Sequence, residues 1–137
     1  MGLDLFAFEG SWRLSRRIED NRAGLTGRLE GEARFAPGQG GLVLTETGLL
    51  RYGEGAPLQA ERRYLWRAEV DGIAVFFEDG RPFHWFSEAR SAASHDCPPD
   101  LYTVSYDFGD WPERWSALWQ VSGPRKDYRM ESLYSPL

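Results

Sequence analysis

The sequence predicts an all-β protein: an antiparallel, up-and-down closed barrel of eight to ten strands with a short helical plug at its N-terminus. Three observations predict it. Apolar and polar residues alternate with period two along most of the chain. Clusters of Gly, Pro, Asp and Asn cut that alternation into short runs joined by brief connections. No run has the length needed for a crossover helix between parallel strands.

The totals fit one domain over residues 1–137. That length can bury a sizeable core. Apolar residues make up 42% and aromatic residues 15%, which places the chain among globular rather than disordered sequences. Six Trp, six Tyr and eight Phe suit the lining of a barrel, because each ring is large and several carry a polar end. A formal charge of −5 argues against non-specific binding to nucleic acid or an anionic membrane. Cys97 is the only cysteine, which excludes an internal disulfide framework and a cysteine zinc cluster. The N-terminal residues lack a basic stretch followed by an apolar run, and no apolar stretch approaches the roughly 20 residues of a membrane span. A cytoplasmic location is the expectation.

The elements follow in order. Leu3 to Phe8 is expected to form one helical turn with Leu5, Phe6 and Phe8 as plugs. In the first strand Trp12, Leu14, Arg16 and Ile18 share one face, and Arg13, Ser15 and Arg17 the other. Leu25 to Phe35 alternates most clearly: Leu25, Gly27, Leu29, Gly31, Ala33 and Phe35 against Thr26, Arg28, Glu30, Glu32 and Arg34. One dry face and one charged face describe a half-buried antiparallel strand. Its glycines permit sharp coiling.

Leu42 to Tyr52 and Glu61 to Val70 come next, and Asp71-Gly72 reads as a two-residue hairpin turn. Ile73 to Glu78 and Phe83 to Ala89 flank a turn at Asp79-Gly80-Arg81-Pro82. Arg90 to Asp100, with Pro98-Pro99 inside it, is expected to be irregular. Leu101 to Phe108, Arg114 to Ser122 and Tyr128 to Tyr134 complete about nine strands. A meander leaves two open edges, and closure into a barrel removes them.

Phe8-Glu9-Gly10-Ser11-Trp12 resembles the first-strand Phe-x-Gly-x-Trp motif of the calycins, the lipocalin, fatty-acid-binding and nitrobindin-like barrels. The resemblance implies a tryptophan packed across the closed end of the barrel, against a basic side chain from the last strands. Arg125, Lys126 or Arg129 would supply it here. The chain also resembles a small uncharacterised bacterial family, a domain of unknown function. It does so through that motif, Asp79-Gly80-Arg81-Pro82-Phe83-His84, His95-Asp96-Cys97-Pro98-Pro99-Asp100-x-Tyr102 and Gly123-Pro124-Arg125-Lys126-x-Tyr128. That likeness implies a calycin-like barrel and no reaction. Nitrobindin-like barrels ligate haem through a late histidine. No histidine follows His95 here, so that ligation does not carry over, and no cofactor is expected.

Alternation also predicts which polar groups point inward. Glu46 shares a face with Leu42, Leu44 and Leu50; Arg62 with Tyr64 and Trp66; Tyr102 and Tyr106 with Val104; Tyr128 and Tyr134 with Met130. Buried charges must be paired or face a ligand. Glu46 and Arg62 either pair with each other or hold a ligand, and Arg62 with Tyr102 or Tyr128 is the expected seat for an anionic head. Trp119 completes the interior candidates.

His84 is a rim candidate that faces outward if Trp85 faces in. His95, Cys97 and Asp100 are the alternative chemistry, a thiolate activated by histidine in a small hydrolase or isomerase. Their spacing fits no standard zinc pattern, so no metal is expected. Binding of a small, partly apolar and possibly anionic ligand inside the barrel is the leading functional expectation. A structural or interaction protein with a filled barrel is the third reading, and a homodimer is left open.

Overall fold

A computed structural model describes residues 3–137. A single 3-10 turn, Leu5–Phe8, precedes ten strands. Asp4 caps the turn by accepting a hydrogen bond from the Phe6 amide. The strands are β1 Gly10–Asp20, β2 Leu25–Gly38, β3 Gly41–Tyr52, β4 Leu58–Glu69 and β5 Gly72–Phe77. Then come β6 Pro82–Phe86, β7 Ala92–Cys97, β8 Asp100–Asp107, β9 Trp115–Gly123 and β10 Lys126–Pro136.

They form one sheet in the order β6-β5-β4-β3-β2-β1-β10-β9-β8-β7, every pair antiparallel. Consecutive strands pair, and β1 pairs with β10, Trp12 opposite Pro136 and Asp20 opposite Tyr128. Among the described residues the unpaired edges belong to β6 and β7, which lie side by side. The barrel is therefore nearly closed, with a single seam. Among the described residues no helix is long and apolar enough to cross a membrane.

The alternation read from the sequence becomes the wall. Trp12, Leu14, Arg16 and Ile18 are buried in β1, while Ser11, Arg13 and Arg17 are exposed. Gly31 of β2 lies opposite Gly48 of β3. A Cβ on Gly31 would sit 1.9 Å from the Thr47 carbonyl oxygen. The two strands approach so closely there that only glycine fits, and the sheet coils at that corner.

One end of the barrel is packed solid with rings. Phe8 is fully buried, with ring centroids 4.4 Å from Trp111, 5.2 Å from Trp66 and 5.3 Å from Trp115. Tyr134 stacks on Trp115 at 3.8 Å. Trp12 joins this cluster and its indole Nε1 donates to the Phe8 carbonyl at 2.9 Å. Such ring pairs each contribute about 0.5–1.5 kcal/mol beyond their buried area.

Several expectations are corrected here. Phe6 is 54% exposed, because the 3-10 turn directs only Leu5 and Phe8 inward. None of the three basic residues expected beside Trp12 reaches it. Arg125, in the turn before β10, and Lys126, at its start, lie at the other end of the strand from Trp12, and Arg129 faces outward, paired with Glu131 at 2.9 Å. The segment expected to be irregular contains β7, joined to β8 by a tight turn at Pro98-Pro99. Val70 and Asp71 form the β4–β5 turn, with Asp71 at a φ of 62°, and Gly72 already belongs to β5. His84 shares an inward face with Phe86, and Trp85 packs outside over Gly72. The departure from alternation is Phe83, the residue skipped by the register shift between Val75 and Phe76, which also turns inward.

Candidate functional site

The opposite half of the barrel holds a second ring cluster, Tyr64, Phe77, Phe83, Tyr102 and Trp119, and beside it a polar network. β1 brings Arg16 into the lumen, where it is only 4% exposed. Its Nη2 donates to Glu46 Oε1 at 2.8 Å and reaches the Tyr134 hydroxyl at 3.4 Å, and its Nε donates to Ser132 Oγ at 2.7 Å. The Tyr134 hydroxyl donates to the other carboxylate oxygen of Glu46 at 2.5 Å. Four side chains from β1, β3 and β10 thus form one buried polar network. Burial is the largest influence and lowers the Arg16 pKa, but Glu46, Tyr134 and Tyr64 together more than offset it and leave Arg16 above the ordinary arginine value. Burial and then the charge of Glu46 raise Tyr134 well above an ordinary tyrosine.

This network is the main difference from the sequence reading. Glu46 and Arg62 are opposite each other in the β3–β4 register, yet Arg16 supplies the ion pair. Alternation identifies the residues that share a lumen. It does not say which of them meet across it.

Above the network lies a chamber of about 180 Å³. Its walls are Ile18, Leu29, Leu50, Ala60 and Met130, with Arg16 at the floor. Arg62, Tyr128, Tyr52 and Asp20 complete the lining toward solvent. Arg62 is exposed and has no carboxylate partner among the described residues. Burial raises the Tyr64 pKa, and the neighbouring Arg62 pulls it back down. Burial likewise raises Tyr128, with Tyr102 adding to it and Arg62 opposing it. Arg62, Tyr64, Tyr102 and Tyr128 therefore share one neighbourhood at the open end.

The remaining candidates fall elsewhere. Trp66 belongs to the ring cluster of the closed end, 4.9 Å from Phe35 and 5.4 Å from Phe86. Trp119 sits between Tyr64 and Phe83. Tyr106 shares a 2.8 Å hydrogen bond with His84 Nε2. Burial, and secondarily His95, lower His84 to about 3, so the ring is neutral at physiological pH. Its Nδ1 is enclosed without a partner.

His95 lies among Phe77, Phe83 and Tyr102, and Asp100 pairs with Lys126 at 3.0 Å. Neither His95 nor Cys97 makes a side-chain hydrogen bond to Asp100 among the described residues, and no cluster of metal-ligating side chains occurs among them. A larger groove of about 580 Å³ lies on the outer wall. Its arginines, Arg17, Arg28 and Arg129, each pair with a glutamate on their own strand.

A nearly closed antiparallel meander, plugged by Phe-x-Gly-x-Trp at one end and chambered at the other, defines a calycin-like barrel. The chain belongs to a family of unknown function, DUF6314, which matches residues 8–136. Among solved structures it is similar to the S-type phycobiliprotein lyase CPES from Guillardia theta, with a TM-score of 0.55 and 10% identity. That likeness covers 96% of this chain and 88% of the lyase chain. At such low identity the two share a fold. No curated protein matches the sequence.

Proposed function

We propose that the protein binds a small, partly apolar ligand in the open-end chamber, with an acidic group of that ligand held by Arg62 and Tyr128. The observation that carries this reading is Arg62, a cation on the lip of an apolar chamber with no carboxylate of its own. An apolar pocket with a few convergent polar groups is the default form of a ligand site. At about 180 Å³ the chamber is smaller than pockets for drug-sized ligands, which run about 300–1,000 Å³. The ligand is therefore compact, or projects its remainder past the exposed Leu25 and Leu58 at the open end. The similar lyase also has a barrel of this fold, and its name favours a small-molecule role over a filled structural barrel.

A thermal-shift screen of small carboxylates and their amides tests the reading. A ligand at about one hundred times its Kd adds about 2.7 kcal/mol, which for a domain of this size raises Tm by several degrees. Stabilisation by carboxylates and not by amides, abolished in Ala60→Phe, is the expected result. Equal shifts in wild type and Ala60→Phe would place binding outside the chamber.

A further inference from the structure

We infer that the chamber's ligand carries two polar ends, a neutral acceptor directed at Arg16 on the floor and a carboxylate held at Arg62 on the lip, as in a short oxo or hydroxy acid. The inference rests on the chamber being a ligand site, and it fixes the ligand's class and direction.

The floor comes first. Arg16 uses Nε and Nη2 for Ser132, Glu46 and Tyr134. Among the described residues no protein acceptor engages Nη1, and unlike the enclosed His84 and Trp115 nitrogens it keeps some contact with solvent. Arg16 lines the chamber, so a guanidinium about nineteen-twentieths buried offers free N–H groups to whatever occupies it. Water meets this donor in the unliganded chamber, and a ligand that displaces that water must bring an acceptor in its place.

Charge decides what that acceptor is. Glu46 already neutralises Arg16 at 2.8 Å, with Tyr134 completing the carboxylate's hydrogen bonds. A second carboxylate driven to the floor would lie beside Glu46 in a desolvated space, where like charges repel strongly. A ketone or hydroxyl oxygen fills the same donor without that repulsion. Arg62 is the reverse case, since it is exposed and lacks a counter-ion. Asp20 also reaches the lip, but it lies beyond ion-pair distance of Arg62 and turns Oδ1 to the Ala23 amide at 3.0 Å. The carboxylate therefore stays at the lip, with Leu29, Leu50 and Ala60 along the chain between the two ends. The chamber holds the volume of about six waters at about 30 Å³ each, which limits that chain to a few carbons.

Three probes of matched length separate the possibilities: 5-oxohexanoate, hexanoate and 2-hexanone, titrated by calorimetry and by NMR of the Arg16 Nε–H resonance. The oxo acid is expected to bind at least about tenfold tighter than either single-ended probe, because a site built to hydrogen-bond a group rejects the analogue lacking it. The ketone-bearing probes are expected to shift the Arg16 Nε–H signal, and hexanoate to leave it unmoved. Arg62→Gln, an exposed substitution that leaves the fold intact, is expected to reduce the oxo acid to the affinity of the ketone. Hexanoate binding as tightly as the oxo acid, or shifting the Arg16 signal equally, overturns the two-ended class while the chamber reading stands. If no probe binds and Ala60→Phe changes no ligand response in the thermal screen, both readings fall.

Discussion

Glu46→Gln is the substitution whose cost the structure fixes most tightly. It keeps the shape of the side chain and removes its charge. Arg16, only 4% exposed, then stays cationic with no counter-ion, since Ser132 and Tyr134 are its other partners and both are neutral. Breaking a buried pair by removing one partner costs about 3–5 kcal/mol, because the surviving charge is left desolvated. At a urea m value of about 2 kcal/mol per molar, a loss of about 4 kcal/mol lowers the unfolding midpoint by about 2 M. Urea titrations followed by tryptophan fluorescence read this directly.

The double variant Arg16→Met with Glu46→Gln removes the orphaned charge. It is expected to be more stable than the sum of the two single losses allows, with a coupling of at least about 1 kcal/mol. A Glu46→Gln midpoint within about 0.5 M of wild type would refute the reasoning. It would mean that the Arg16 charge is solvated through the chamber rather than held by Glu46.

Other consequences follow from the same geometry. Tyr134→Phe removes the second hydrogen bond to Glu46 while keeping the ring on Trp115, and is expected to cost about 1–3 kcal/mol in the same titration. Gly31→Ala drives a Cβ into the Thr47 carbonyl at the barrel corner, and a loss of about 1–3 kcal/mol with reduced Tm is expected. His84 has a folded pKa of about 3, below its ordinary value near 6.5. The unfolded chain therefore binds this proton first, so stability falls as pH drops from about 6.5 toward 3, by up to about 1.4 kcal/mol per pH unit. His84→Leu is expected to flatten that part of the profile, and an unchanged slope in the variant would assign the acid sensitivity to the carboxylates.

Much of the fold was legible because a barrel wall is a period-two object. The faces of β1 and β2, the plug formed by Phe8 and Trp12 and the meander itself all follow from alternation and turn residues. What escaped was set by the third dimension. Ala92–Cys97 carries small and polar residues with no apolar alternation strong enough to announce a strand, so β7 emerges only from its pairing with β8. The bulge beside Val75 brings both Phe83 and His84 to the inside, which strict alternation forbids. Arg16, Glu46 and Arg62 were all placed on inward faces. Which arginine meets Glu46 depends on reach across the lumen, and β1 lies two strands from β3 in the sheet, with β2 between them. Alternation marks Arg16 as an interior face residue, and packing across the lumen puts it at the centre of the buried polar network.

The central claim is that the chamber above Arg16 receives a small ligand. An NMR titration of the isotopically labelled protein with a library of small organic acids tests it most directly. The account predicts saturable shifts confined to the methyls of Ile18, Leu29, Leu50, Ala60 and Met130 and to the Arg62 side chain. Saturable shifts that instead cluster on the outer groove around Arg17, Arg28 and Leu133, with the chamber methyls unmoved, would contradict it.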